Sequence, residues 1–168
     1  CVANCKLCAF GKRTRDGKAY TWSHEEVWHR AGEGYTEAVS EFHIVGGLHP
    51  WLKFDYYLDI LRGIRHECPA LHIKAFTAIE IVHFSRISRM SIRDTLTALR
   101  DAGLGSMPGG GAEIFDDRVH DEAFKGKIRS DVWLDVHRVA HELGLNSNAT
   151  ILYGHIEQRQ DRLVHMEM

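Results

Sequence analysis

Residues 1–10 read CVANCKLCAF, with cysteines at Cys1, Cys5 and Cys8. The spacing is C-x3-C-x2-C, and of the chain's 4 cysteines only Cys68, in HECPAL, stands elsewhere. Three crowded thiols and one distant thiol do not make a disulfide framework, and in a reducing compartment such a cluster points to metal. Thiolates are soft ligands that select zinc, copper(I) or iron–sulfur clusters. A structural zinc site takes four protein ligands. Cys68 or a histidine such as His24 could complete one, although a lone buried cysteine usually serves as a small hydrophobe. A cubane cluster held by three cysteines instead leaves one iron open to a small molecule. The competing readings are a zinc knuckle and three unrelated thiols.

The rest of the chain bounds the class. Its 168 residues are 44% hydrophobic, which suits one domain with a real core. Lys+Arg 21 against Asp+Glu 23 gives no basic excess for nucleic acid and no charged tail. No apolar run approaches the roughly 18 residues of a membrane span, and nothing reads as a signal peptide. A cytoplasmic protein with a small-molecule substrate is expected, with neither nucleic acid nor membrane as partner. The chain does not begin with Met and its first residue is a candidate ligand. A single domain over residues 1–168, truncated at both ends, is therefore expected.

Punctuation alternates strand and helix. Ser23 with Glu26 forms a capping-box signature that opens a helix. Phe42–Val45 is a short β run stopped by Gly46-Gly47. Phe54, Tyr57, Leu58, Leu61 and Ile64 fall at helical spacing. LHIKAF (71–76) is the next strand, and Ser91 with Asp94 caps a helix that Gly103 ends. A third strand is expected near 104–107, before the glycine-rich PGGGAE (108–113). Ser130-Asp131 opens a helix with Val132, Val136, Val139, Ala140 and Leu143 inward, and NATILYG supplies the last strand. Serial βα units, with one helix between successive strands, predict a parallel sheet in an α/β barrel or an open α/β sheet. The tail from Gly154 begins another helix.

A C-x3-C-x2-C motif followed by serial βα units resembles the radical S-adenosylmethionine (radical SAM) superfamily. The resemblance implies a partial, TIM-like (βα) barrel with parallel strands. It implies that Cys1, Cys5 and Cys8 hold a 4Fe–4S cluster whose open iron binds SAM. Leu7 stands where an aromatic residue usually precedes the third cysteine, and would shield the cluster and pack on adenine. Gly46-Gly47 resembles the GGE motif whose backbone holds the SAM amino group, with Leu48 in place of the Glu. TILYGHIE (150–157) resembles the GxIxGxxE motif beside the adenine. Thr150 replaces its first Gly, while Leu152, Gly154 and Glu157 match. Glu113, closing PGGGAE, becomes a candidate for a SAM hydroxyl or amine.

EFHIVGGLHP, HIKAFTAIEI, LGSMPGGGAEIFDDRV and WLDVHRVAHELGLNSNATILYGHIE together resemble the aminofutalosine synthase branch of that superfamily. The implied reaction adds the adenosyl radical of SAM to the enolpyruvyl double bond of 3-[(1-carboxyvinyl)oxy]benzoate. Rearrangement and loss of the carboxylate as bicarbonate give aminofutalosine, in menaquinone biosynthesis. A flavodoxin or ferredoxin is the implied electron donor. Dehypoxanthine futalosine cyclase and the deazaflavin-precursor synthase share the motifs. A dicarboxylate substrate calls for donors or positive charge. Period-2 alternation puts His43 with Val45, and His72 with Lys74 and Phe76. Lys74 is the leading candidate, because an inward lysine is costly to bury without an anion. Glu80 is a candidate partner of Lys74 or proton carrier. His49, near a strand end, completes the catalytic candidates. Residues Lys12–Arg15 read as a solvated loop.

Overall fold

The computed structural model describes residues 1–3, 5–12 and 16–168. Four parallel strands make one sheet in the order β1 (Glu41–Ile44), β2 (His72–Ala75), β3 (Ser106–Met107), β4 (Asn146–Ser147). Phe42 pairs with Ile73 and His43 with Lys74. Lys74 pairs with Ser106, and Ser106 with Asn146. The order follows the chain without a reversal. It has no switch point of a doubly wound sheet and is the order of a barrel wall.

The helices are α1 (His24–Gly34), α2 (Phe54–Glu67), α3 (Ala78–Ser88), α4 (Ile92–Asp101), α5 (Asp117–Val119), α6 (Ser130–Glu142) and α7 (Arg159–Glu167). Helix α5 runs into a π-helical turn at His120–Phe124. Ser23 caps α1 by accepting from the Glu26 amide at 3.2 Å. Ser91 caps α4 in the same way from Asp94 at 3.0 Å. Helix α2 buries Phe54, Tyr57, Leu58, Leu61 and Ile64, the stripe its spacing predicts. Full burial of each such side chain is worth roughly 1.5–3 kcal/mol. The fit with α1 needs Gly63, since a Cβ there would lie 2.0 Å from the Trp28 indole nitrogen.

Four expectations are corrected. Two helices, α3 and α4, separate β2 from β3. Helix α3 has no single stripe to read, because Ala78, Ile79, Glu80, Ile81, Val82 and Phe84 are all buried. The last strand is Asn146–Ser147, not NATILYG. Its partner β3 ends at Met107, and the chain beyond Ser147 turns across the glycine-rich loop instead. Residues 116–124 carry helical turns where none was read. The inward stripe of α6 is Trp133, Val136, His137, Val139 and Ala140, while Val132 is exposed. Within the expected Lys12–Arg15 loop, residues 13–15 lie outside the described residues.

Candidate functional site

The loops that follow the strands, with the cysteine segment, meet at the C-terminal end of the sheet. Segment 1–3 is laid between two of them. The Val2 amide donates to the Leu48 carbonyl at 3.0 Å. On the other side, a Cβ on Gly126 would sit 1.7 Å from the Ala3 carbonyl oxygen, so only glycine admits that crossing. A Cβ on Gly47 would come within 2.9 Å of the Cys1 Cβ. The glycine pair thus seats Cys1 as well as ending β1. The Leu48 amide points at the Cys1 sulfur at 3.4 Å. Cys8 follows Cys5 in a turn closed by Cys8 N–H to Cys5 O at 3.3 Å, and Gly11 closes the next turn onto the Cys8 carbonyl.

Cys1 and Cys5 are half-buried and Cys8 is exposed. Burial pushes the Cys5 thiol up, and the Lys127 ammonium opposes that shift. Three soft donors, an amide aimed at one sulfur and glycines that let the backbone close in fit an iron–sulfur cluster. Cys68 is placed elsewhere. It is fully buried in the main core, with its thiol directed at the Ala31 carbonyl, as a small hydrophobe would be. It is therefore no fourth ligand. His24 is also committed, to the Tyr56 carbonyl and a stack on Trp28. Among the described residues no three His, Cys, Asp or Glu side chains are set to hold a single ion.

Glycines shape the next loop too. A Cβ on Gly109 would fall 2.1 Å from the Asn148 carbonyl oxygen. The chain after β4 therefore crosses directly over PGGGAE. Thr150 donates to the Gly109 carbonyl at 2.8 Å, and the Leu152 amide to the Glu113 carbonyl at 3.0 Å. His165 of α7 ties the two further, accepting from the Phe115 amide at 3.1 Å and reaching the Thr150 carbonyl at 3.1 Å. Leu7 and Leu152 are both exposed and available to pack on a ligand. Glu113 adopts a left-handed backbone, φ +48°, and forms an ion pair with Lys127. Lys127 is a residue the sequence reading missed, because a lone lysine after a glycine carries no pattern.

Glu157 serves its own loop. Its carboxylate accepts the Gly154 amide at 2.7 Å and the His155 amide at 2.9 Å. Those two bonds pull its pKa down to about 2. Gly154 needs its freedom here, at φ +88°.

The three catalytic candidates separate. Lys74 pairs with Glu41 at 3.0 Å, on the sheet face away from the helices. His72 on the same face meets the Ser106 hydroxyl at 2.8 Å. The expected pairing of Lys74 with Glu80 is corrected. Glu80 lies on α3, 4% exposed, and accepts from the Gly46 amide, the Thr77 amide and the Thr77 hydroxyl. Period-2 alternation does not extend past the strand end, so Glu80 does not share the face of Lys74. Burial pushes the Glu80 carboxyl up, and the Thr77 and Gly46 hydrogen bonds oppose it. His49 braces the loop after β1. Its Nδ1 accepts from the Trp51 and Leu52 amides at 3.2 Å, and its Nε2 meets the Thr21 hydroxyl at 3.0 Å. Burial, the N-terminal amine and His83 hold its pKa low.

The model of the radical SAM superfamily matches residues 1–168. An aminodeoxyfutalosine synthase of Thermus thermophilus is 46% identical over 167 residues, 99% of this chain and 45% of that protein. The Streptomyces coelicolor aminodeoxyfutalosine synthase is 44% identical over 166 residues, 99% of this chain and 43% of the relative. An FO synthase of Streptomyces coelicolor is 40% identical over 166 residues, 99% of this chain and 19% of the relative. The chain thus spans less than half the length of each of these relatives. With the family pattern matched from end to end, and the cysteine segment seated among the loops at the sheet's C-terminal end, the chain belongs to the radical SAM superfamily.

Proposed function

We propose that the protein of which this sequence is read is an aminofutalosine synthase, using SAM and an enolpyruvyl ether of 3-hydroxybenzoate. The carrying observation is identity: 46% and 44% to two aminodeoxyfutalosine synthases, against 40% to an FO synthase over a similar span. Cys1, Cys5 and Cys8 would hold the 4Fe–4S cluster. When bound, the cluster supplies the electron that cleaves SAM to an adenosyl radical.

The chain's own residues do the rest by holding and orienting. Gly46 and Gly47 bring bare backbone to the seat of Cys1, where SAM's amino group would lie. Glu113, with Leu152 tied to its carbonyl, supplies an acceptor for a SAM hydroxyl or amine. Leu7 and Leu152 supply apolar surface for the adenine. Gly154 and Glu157 hold the adenine loop in shape. Lys74 is the cation on the open sheet face that would meet a substrate carboxylate, exchanging Glu41 for it. His49 holds the shape of the loop between β1 and α2, whose Leu48 carbonyl takes the Val2 amide. Flavodoxin or ferredoxin is the proposed donor, and the cytoplasm the proposed compartment. Among the described residues no helix is long and apolar enough to cross a membrane.

The test uses the full-length protein, reconstituted anaerobically with iron and sulfide and reduced with dithionite. With SAM and the enolpyruvyl benzoate, mass spectrometry should find aminofutalosine. Formation of 5′-deoxyadenosine alone would move the assignment to the cyclase or the deazaflavin-precursor synthase.

A further inference from the structure

Glu80 is a buried carboxylate whose partners are amides and a hydroxyl rather than a cation. Its Oε1 accepts from Gly46 at 3.0 Å, 34 residues away in the chain. Its Oε2 accepts from the Thr77 amide and hydroxyl, both at 2.9 Å. Glu80 sits in the first turn of α3, where the helix N-terminus favours a negative charge. The two oxygens therefore staple the end of β1 to the end of β2.

Both ends need a staple. Phe76 bridges β2 and Thr77 with φ +62°, a conformation that costs a bulky residue of order 1–3 kcal/mol. Its ring is held edge-on against Tyr57 and Phe84, and Thr77 just beyond it is fixed by Glu80. On the other side, Gly46 is exposed and lies outside the ladder. Glycine there has the most conformational freedom to lose. Among the described residues, Glu80 is the partner that fixes its amide.

The consequence follows from the peptide plane. No cis bond occurs among the described residues, so the Val45–Gly46 peptide is trans and planar. In a trans peptide the N–H and the preceding C=O point in opposite directions. Turning the Gly46 N–H inward to Glu80 turns the Val45 carbonyl outward. One residue further along the same loop end, Gly47 packs against Cys1.

We infer that Glu80 is a positioning residue: it sets the Val45–Gly46 peptide so that an outward carbonyl meets the ammonium group of the bound SAM. It carries no proton in the reaction. The inference rests on the reading that SAM binds at Gly46-Gly47, and the experiment separates the two.

The full-length protein, with its cluster reconstituted, is compared with E80Q and E80A. Three quantities are read: the SAM Kd by equilibrium dialysis, kcat at saturating SAM, and hydrogen exchange of the Gly46 and Thr77 amides without SAM. Glutamine keeps the shape and one acceptor oxygen but turns an NH2 toward one of the donors. E80Q is expected to weaken SAM about tenfold, to speed exchange at Gly46, and to lower kcat by a smaller factor. E80A should do more of each, and where it fails to fold, E80Q decides. An unchanged SAM Kd with kcat abolished in E80Q would make Glu80 a proton carrier and overturn the inference. So would an unchanged exchange rate at Gly46. If the parent protein binds no SAM, the functional reading fails, and the exchange rates alone judge the staple.

Discussion

On the helix-covered face of the sheet stand Phe42, Ile44, Ile73, Ala75 and Met107. Ile73, Ala75 and Met107 are fully buried, and Phe42 and Ile44 pack against the same core. On the opposite face stand Glu41, His43, His72, Lys74, Ser106 and Asn146, placed side by side by the parallel register. There Lys74 holds Glu41, and His72 holds Ser106. The inside of a (βα) barrel is ordinarily filled by layers of branched aliphatic side chains. Here that face is polar, so it is built as a lining rather than a packing layer. One face holds the fold together, and the other is free to meet a ligand.

The largest test of that division is Ile73→Ala. Ile73 is 0% exposed, and truncation there leaves a cavity that surrounding helices fill only in part. About 3–4 kcal/mol of stability should be lost, read as a lower urea midpoint. A loss below about 1 kcal/mol would mean that the covered face is not the one that holds the fold.

A polar pair on the covered side gives the next largest effect. His137 of α6 lies 2.8 Å from the Ser147 hydroxyl, stacks on Trp133 and is 4% exposed. Burial, with His141 beside it, lowers its pKa from 6.5 to about 4. Between those values the unfolded chain binds the proton that the folded chain refuses. Stability from this group is therefore complete above pH 6.5 and is lost as pH falls toward 4. The loss should be on the order of 2 kcal/mol after allowing for screening. Urea midpoints at several pH values check it, with His137→Gln expected to flatten the slope.

The same contrast explains what could be read from the sequence. The stripe of α2 was legible because one face is buried and the others are not. Helix α3 was not legible, because burial on nearly all sides erases periodicity. Strand β4 falls before NATILYG because that segment has strand composition but, among the described residues, no strand to pair with past Met107. In the candidate site, the cysteines stood out by spacing, whereas Gly46, Gly47 and Gly154 stood out only by resemblance to the family's motifs. Lys74 was found on the polar face by alternation alone. Its partner was not found, because Glu41 lies one strand away and sequence spacing says nothing about which strands adjoin. Glu80 was noticed for its charge, but the hydrogen bond it accepts from Gly46 depends on how two strand ends approach.

Cys68→Ser tests the covered side against the cysteine segment. Cys68 is 0% exposed beneath α1, and a hydroxyl there would face the Ala31 carbonyl. A loss of about 1 kcal/mol is expected from burying the more polar group. Iron bound per chain in the reconstituted full-length protein should not change. Loss of all metal in this variant would return Cys68 to the ligand set and favour zinc.

The smallest effect on stability belongs to Lys74→Met on the open face. The Lys74 and Glu41 side chains are 25% and 36% exposed, so their ion pair is partly solvated. Such pairs contribute about 0–1 kcal/mol, and methionine keeps most of the stem. The urea midpoint should barely move. The functional effect should be larger than the structural one. A carboxylate arriving at this face would lose its cation and meet the unpaired Glu41 instead. The KM for the enolpyruvyl benzoate should rise about tenfold or more, with the SAM Kd unchanged. Lys74→Arg, which keeps the charge, should recover part of that loss. A variant that loses several kcal/mol of stability with an unaltered KM would show Lys74 to be a structural counter-ion for Glu41, and the two faces would then differ in polarity but not in purpose.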